Sequence, residues 1–167
     1  YVPTLMLERA GVTIGVIGII TPGTAQMSFP ENIKGLEFRA MAPTIAKYRD
    51  QLLEQGADII FLGIHEGLPY DPEQGWERIA GAGATATEVE QGDQGYHAAN
   101  YSGSGVPNLM ELVNMVPGID IAVGGHTHRG YQEPWIDPVN HTMCFETYGN
   151  GSSIGHAVLL VDPQLGE

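Results

Sequence analysis

Two strand patterns flanking a helical pattern limit the fold of this chain more strongly than any other feature. Val12–Ile20 is a nearly continuous β-branched run, typical of a buried central strand, and Ala57–Ile64 is a second apolar run of strand length. Between them, Pro43 suits the first turn of a helix, apolar residues follow at helical spacing, and Gly56 is placed to end it. A strand, a helix of this length and a strand predict a βαβ unit with two parallel strands, and therefore an α/β fold.

The second half of the chain continues this pattern. Asn108–Met115 is predicted to be a short helix with Asn108 as its N-cap, and Ile119–Val123 is a short apolar run that predicts another buried strand. A terminal β-hairpin is predicted around the turn signal Asn150-Gly151, with its strands at Thr142–Thr147 and His156–Val161.

Residues 68–106 differ in composition from the rest of the chain. Gly, Ala, Thr, Gln and acidic residues dominate, so we interpret this stretch as an insertion loop within a single partial domain that covers residues 1–167. Trp76, Tyr96 and Tyr101 are expected to anchor parts of it. Its glycine clusters lack both the Lys-Ser/Thr of a P-loop and a GxGxxG sequence, so a linker-like insertion is favoured over a phosphate-binding loop.

The charge balance excludes some classes of partner. The chain has 167 residues, with 20 acidic against 7 basic residues and a formal net charge of −13. A nucleic-acid backbone or an anionic membrane surface is therefore not expected as a partner, and no apolar run is long enough for membrane insertion. A small phosphorylated substrate stays compatible, because a bound divalent cation reverses the local field. Cys144 is the only cysteine, so neither a disulfide framework nor a thiolate metal cluster is expected.

Three histidines follow two of the predicted strands. His65 comes directly after the second strand, and His126 and His128 stand in Gly-Gly-His-Thr-His after the third. If the chain stayed extended there, the two imidazoles would point to one side, roughly 7 Å apart. Because the carboxyl ends of parallel strands meet at one edge of a sheet, all three histidines are predicted metal ligands.

Two kinds of metal site fit these histidines. They could bind one zinc ion and leave a position for water, or serve two ions with additional carboxylate ligands. Glu66 and Asp120 are the nearest acids, but Asp120 lies at the amino end of its strand, on the wrong side of the sheet, and is interpreted as structural. The remaining histidines lack the placement of a site residue: His97, His141 and His156.

The pattern resembles the calcineurin-like metallophosphoesterases, in particular the bacterial 5′-nucleotidase and 2′,3′-cyclic phosphodiesterase branch. The resemblance covers nearly the whole chain except the insertion. It rests on four stretches, in order: Gly11–Pro22, Gly56–Ile60 running into His65–Gly67, Pro117–His128, and the region near Tyr148-Gly149 and Gly155.

The resemblance implies a four-layer α/β/β/α sandwich and a dinuclear centre that activates water to hydrolyse phosphate esters. His65 and His126 would bind the second metal and His128 the first, with zinc or manganese as the expected ions and magnesium or iron as alternatives. A nucleotide or another small phosphate ester would be the substrate. The expected location is the periplasm or the cell surface.

The sequence also departs from that family. Its Asp-x-His pair, its bridging Asp and its Gly-Asn-His-Glu motif are missing, and they would precede Tyr1. The resemblance therefore predicts the second half of a catalytic domain, with no catalytic residue of its own, little activity alone, and a sheet face or edge available for self-association. Two alternatives stay open. One is a non-catalytic binding or structural module with a vestigial histidine cluster, and the other is a mononuclear three-histidine zinc hydrolase.

Overall fold

A computed structural model describes residues 2–82 and 106–161 of the chain. Its strands are β1 (Thr4–Arg9), β2 (Val12–Ile20), β3 (Ile59–His65), β4 (Ile121–Gly124), β5 (Trp135–Ile136) and β6 (Met143–Glu146). Its α-helices are α1 (Thr24–Met27), α2 (Met41–Glu54), α3 (Pro72–Ala82) and α4 (Leu109–Met115), and a 3₁₀ turn covers Pro30–Asn32. None of these helices is long and apolar enough to cross a membrane.

The strands form one mixed sheet of six, in the order β1-β2-β3-β4-β6-β5. β2, β3, β4 and β6 are parallel, and the short outer strands β1 and β5 pair antiparallel with their neighbours. The predicted βαβ unit is confirmed, because α2 connects the parallel pair β2 and β3. Pro43 lies in the first turn of α2, and Gly56 follows its end with a φ of +91°.

One face of the sheet packs against the helices. Ile17, Leu62, Ala122 and Cys144 are opposite one another in the strand register, and each is fully buried. Helices α2 and α4 cover this row with apolar side chains that include Ile45, Leu52, Leu109 and Leu112. Helix α4 begins as predicted at Asn108, whose side chain accepts a hydrogen bond from the Glu111 N–H, and the Glu111 carboxylate accepts one from the Asn108 N–H in return.

The opposite face of the sheet is less well covered. Val16, Phe61, Val123 and Phe145 point away from the helices and are only half-buried. The prediction that β2 is a buried central strand is therefore wrong: it lies second from the edge, and Ile20 is 54% exposed. One sheet with one helical layer is half of a four-layer sandwich, in agreement with the predicted fold class.

The insertion contains regular structure that the sequence interpretation did not assign. Helix α3 occupies Pro72–Ala82 and begins with two recognisable signals, namely an Asp71 carboxylate that accepts a hydrogen bond from the Gln74 N–H, and Pro72 in the first turn. The predicted anchoring by Trp76 is confirmed, since its ring packs against the core and lies 6.3 Å from the Trp135 ring centroid. Tyr96 and Tyr101 lie outside the described residues.

The predicted terminal β-hairpin is not formed. Its first strand is present as β6, and Asn150 and Gly151 have the positive φ angles of a hairpin turn, but residues 152–161 are exposed and are not a strand. The reason is that β6 already pairs with β4 on one side and with β5 on the other. Both of its edges are occupied, so His156–Val161 has no place beside it.

The single cysteine is predicted to be unreactive in the folded chain. Cys144 is fully buried in β6, and burial, together with the nearby Asp137 carboxylate, raises the pKa of its thiol. We expect its reaction with a disulfide reagent at pH 8 to be at least about a hundredfold slower in the folded chain than in urea, because access requires unfolding. Equal rates in the two conditions would contradict the burial of this strand.

Candidate metal centre

The carboxyl ends of four parallel strands meet at one edge of the sheet and form a polar rim. Thr21 follows β2, His65 ends β3, Gly125 follows β4, and Glu146 ends β6. The segments directly after β3 and β4 are joined there, since the Gly125 N–H donates a hydrogen bond of 3.0 Å to the Glu66 carbonyl. The rim therefore collects side chains that are far apart in the sequence, as parallel sheets do at their ligand sites.

Two of the three predicted ligands lie side by side on this rim. The ring centroids of His65 and His126 are 5.2 Å apart, and the ring planes cross at 68°. His65 is exposed and His126 is half-buried, so an ion from solvent can reach the pair. Gly125 lies close to the pair, since a Cβ at this position would be in ordinary van der Waals contact with His65 Nδ1 at 3.7 Å.

His128 is placed differently from the prediction. The strand ends at Gly124, and His126 and His128 take positive φ angles of 71° and 57°, so the extended chain that would point both imidazoles to one side is absent. Left-handed backbone is unfavourable for residues with a Cβ and tends to occur at functional sites. The His128 ring instead lies against Gly149, where a Cβ would be 2.5 Å from His128 Cγ.

The described residues do not by themselves make a complete metal site. Two neighbouring imidazoles suit zinc or another transition metal, which supports the donor chemistry of the His65 and His126 pair. However, no three His, Cys, Asp or Glu side chains within residues 2–82 and 106–161 are grouped to hold an ion. The residues present therefore fit part of a metal centre.

Glu66 lies beside the histidine pair as a buried carboxyl group. It is 3% exposed, and burial raises its pKa, with a further contribution from the nearby Glu146. Three interactions oppose this rise: hydrogen bonds from the Thr21 hydroxyl and the Gly67 N–H, and the proximity of His126. Its buried position beneath the rim suits support of the site.

Glu146 is a residue of the candidate site that the sequence interpretation did not single out. It is 1% exposed, and its Oε2 accepts a hydrogen bond of 2.8 Å from the Leu68 N–H. Its Oε1 accepts from the Thr127 hydroxyl at 2.5 Å and from the Arg129 N–H at 3.3 Å. This carboxylate therefore fastens the segment that carries His126 and His128 to the segment after His65. The available signal was a glutamate at the carboxyl end of a predicted strand, in phase with buried Cys144.

Asp120 and the remaining described histidines lie away from the histidine pair, although His156 does not start the strand that was predicted for it. Asp120 is at the amino end of β4, where its carboxylate accepts a hydrogen bond of 2.7 Å from the Ile60 N–H, so it joins two strands away from the rim. Burial raises the pKa of Asp120, and the hydrogen bond from the Ile60 N–H partly opposes this rise. His141 lies between β5 and β6, and His156 lies in the exposed final segment. His97 is outside the described residues.

Gly149→Ala is predicted to displace His128. The new methyl group would overlap the imidazole, so we expect the ring to move, at a cost of about 1 to 3 kcal/mol in the free energy of unfolding. The ¹H–¹³C NMR signal of the His128 Cε1–H is expected to shift while that of His141 stays in place. Gly81→Ala is the matched control, since a Cβ there meets open space. An unchanged His128 signal in the Gly149 variant would contradict this packing.

No family model matches the chain. Among curated relatives, it is 28% identical to Protein UshA of Yersinia enterocolitica in an alignment of length 165 that covers 94% of this chain and 25% of UshA. It is 25% identical to the cell wall protein Lmo0130 of Listeria monocytogenes in an alignment of length 170, gaps included, that covers all of this chain and 19% of that protein. The chain therefore spans about a quarter or less of each relative.

Solved structures share the fold. The calcineurin-like phosphoesterase YfkN of Bacillus subtilis matches with a TM-score of 0.58 and 17% identity, over 89% of this chain and 42% of that one. A Staphylococcus aureus protein assigned as a 5′-nucleotidase matches with a TM-score of 0.52 and 20% identity, over 87% of this chain and 24% of that one. These comparisons confirm the resemblance to calcineurin-like phosphoesterases and 5′-nucleotidases that the sequence predicted, and at these identities they establish the fold.

Proposed function

We propose that this chain is part of a metal-dependent phosphohydrolase of the 5′-nucleotidase or cyclic-nucleotide phosphodiesterase type. The observation that carries the proposal is the pair of imidazoles, His65 and His126, at the carboxyl edge of a sheet whose fold is shared with calcineurin-like phosphoesterases. Neighbouring imidazoles at the ligand-binding edge of a parallel sheet are suited to bind a metal ion.

The metal assignment follows the chemistry of the donors. His65 and His126 would hold one divalent ion and His128 a second, with zinc or manganese as the first expectation and magnesium or iron as alternatives. When bound, two such ions would polarise the phosphate ester and lower the pKa of the attacking water. The backbone around the histidines orients the donors, because the Glu146 carboxylate and the Glu66 carbonyl hold both segments in place.

The proposal includes low activity of the 167-residue chain by itself. A dinuclear centre of this kind needs carboxylate ligands, and no three His, Cys, Asp or Glu side chains of the described residues are grouped to hold an ion. The missing ligands would come from an Asp-x-His pair and a Gly-Asn-His-Glu motif outside these residues. The absence of such a group among the described residues also disfavours the mononuclear alternative, because His128 does not join His65 and His126 in a three-histidine site.

We further propose a bacterial surface or periplasmic location and a small phosphate ester as the substrate. The location is supported by the relative that is a cell wall protein, and the substrate class by the phosphoesterase and 5′-nucleotidase among the structural neighbours. The half-buried apolar face around Phe61 and Phe145 supports association with a second protein layer or a second copy of the chain.

Hydrolysis of p-nitrophenyl phosphate tests the proposal. We expect the 167-residue chain to bind metal weakly and to show little or no turnover. A polypeptide that also supplies the Asp-x-His and Gly-Asn-His-Glu motifs is expected to bind about two ions and to hydrolyse the ester. His126→Ala in that longer polypeptide is expected to reduce kcat/KM at least about a hundredfold, with His141→Ala as the control.

Two results would count against the proposal. Turnover by the 167-residue chain alone, lost on replacement of any one of the three histidines, would favour the mononuclear zinc site. A longer polypeptide that binds no metal would favour a non-catalytic module with a vestigial histidine cluster.

A further inference from the structure

A stacked pair of side chains stands on the same rim as the histidines and has no part in the proposed metal centre. The guanidinium carbon of Arg129 lies 3.9 Å from the centroid of the Tyr70 ring. Arg129 directly follows His128 in the chain, and Tyr70 comes five positions after His65. Both side chains are exposed, with Tyr70 at 65%. The pair therefore connects the two segments that carry the predicted ligands.

The position of the pair is fixed by its backbone. The Arg129 N–H donates a hydrogen bond of 3.3 Å to Glu146, which is itself buried. On the other segment, the carbonyl of buried Pro69 accepts a hydrogen bond from the Tyr131 hydroxyl. This hydrogen bond joins the two segments close to the stack, since Tyr70 directly follows Pro69 and Arg129 is two residues before Tyr131. A guanidinium held in this way loses little conformational freedom when it binds a ligand.

The charge of Arg129 is not neutralised by the chain. Arg39 and Arg49 each form an ion pair with a carboxylate, whereas no carboxylate of the described residues pairs with Arg129. Within residues 65–71 and 125–131, which are all described, Arg129 is the only Lys or Arg. In a chain with a formal net charge of −13, one fixed cation on the rim is the local feature that attracts an anion.

We infer that Arg129, stacked on Tyr70, binds the phosphate of a phosphate monoester on the histidine rim. Stacking uses the face of the guanidinium and leaves its N–H edge free, which is the edge that forms paired hydrogen bonds with phosphate oxygens. The choice of phosphate rests on the proposed function, whereas the anion-binding role rests on the geometry and the charge. The Tyr70 ring holds the Arg129 guanidinium in one orientation.

Phenyl phosphate titrated into the metal-free chain tests this inference. With EDTA present and ionic strength held constant, the Arg129 Nε–Hε NMR signal is expected to shift with saturable, millimolar binding. Arg129→Gln is expected to weaken binding at least about tenfold, because a charge-assisted hydrogen-bond pair is lost. Arg129→Lys keeps the charge but not the paired N–H donors, so its affinity is expected to lie between those of the parent chain and of Arg129→Gln. Tyr70→Leu is expected to weaken binding about threefold.

Arg39→Gln is the matched control, because it removes the same charge from an exposed arginine outside the two segments that carry the histidines. Binding within twofold of the parent chain in Arg129→Gln, or an equal loss in Arg39→Gln, would overturn the inference. Acetate bound as tightly as phenyl phosphate through Arg129 would also overturn the assignment to phosphate. The assay contains no metal, so its outcome is independent of the metal centre. If phosphate binds through Arg129 but zinc binding fails, only the proposed function is lost.

Discussion

Replacing Glu146 with alanine is expected to lower the free energy of unfolding by about 3 kcal/mol or more. The carboxylate accepts hydrogen bonds from the Leu68 N–H, the Thr127 hydroxyl and the Arg129 N–H, and it is 1% exposed. Alanine would leave the Leu68 N–H, which is buried, without its partner, and each donor left unpaired costs about 1 to 3 kcal/mol. Urea unfolding at pH 7 measures the change.

Two further variants separate the hydrogen bonds from other effects. Glu146→Gln keeps one acceptor oxygen and the side-chain volume, so its loss is expected to be about half that of alanine. Glu54→Ala removes an exposed glutamate at the end of α2 and is expected to stay within about 0.5 kcal/mol of the parent chain. A Glu146→Ala variant as stable as the Glu54 control would show that this carboxylate does not fasten the rim.

Glu111 is expected to make the chain less stable as the pH rises from about 4.5 to about 7. Burial is the main cause that raises its pKa from 4.5 to about 7, and the nearby Glu66 carboxyl raises it further. The hydrogen bond from the Asn108 N–H and the charge of Arg78 partly oppose this rise. Between these values the folded chain keeps a proton that the unfolded chain releases, so the free energy of unfolding falls. The stabilisation is fully present below pH 4.5, is lost through pH 7, and amounts to about 3 kcal/mol in total.

Glu111→Gln isolates this contribution. Glutamine stays neutral and still suits the capping position opposite Asn108, so the variant is expected to match the parent chain near pH 5 and to be more stable at pH 8 by about 2 to 3 kcal/mol. Glu66 and Asp120 also have raised pKa values, so some pH dependence remains in both proteins. Glu54→Gln serves as the exposed control. A Glu111→Gln variant with the same pH profile as the parent chain would contradict the prediction.

The sequence predicted the centre of the fold well, because local pattern and final environment agree there. Val12–Ile20 became a strand with the predicted bounds, and the helix between the parallel strands carries its proline and its terminal glycine where expected. β1 was not predicted. In the structure it is joined to β2 by a tight turn, in which Ala10 and Gly11 have positive φ angles. The hairpin failed for a non-local reason, since the short strand β5 takes the edge that its second strand needed.

In the candidate site, too, the sequence predicted the features that follow from topology and missed those that depend on contacts between distant segments. The meeting of His65 and His126 follows from parallel topology, which the sequence revealed. The conformation of His128 depends on residues from another part of the chain, Gly149 beside its ring and Glu146 beneath its backbone, and no local pattern encodes these contacts. Helix α3 was hidden by a glycine-rich composition, although Gly75 is required where α3 packs closely against Pro69 and Met110.

Zinc titration of the 167-residue chain tests whether His65 and His126 are metal ligands. We expect weak binding that falls at least about tenfold in His65→Ala and in His126→Ala, because each variant removes one imidazole from the pair. His141→Ala, which removes an imidazole away from the rim, is predicted to bind zinc like the parent chain. Zinc affinity that is unchanged by the first two variants, or that falls equally with His141→Ala, would show that these two histidines are not metal ligands.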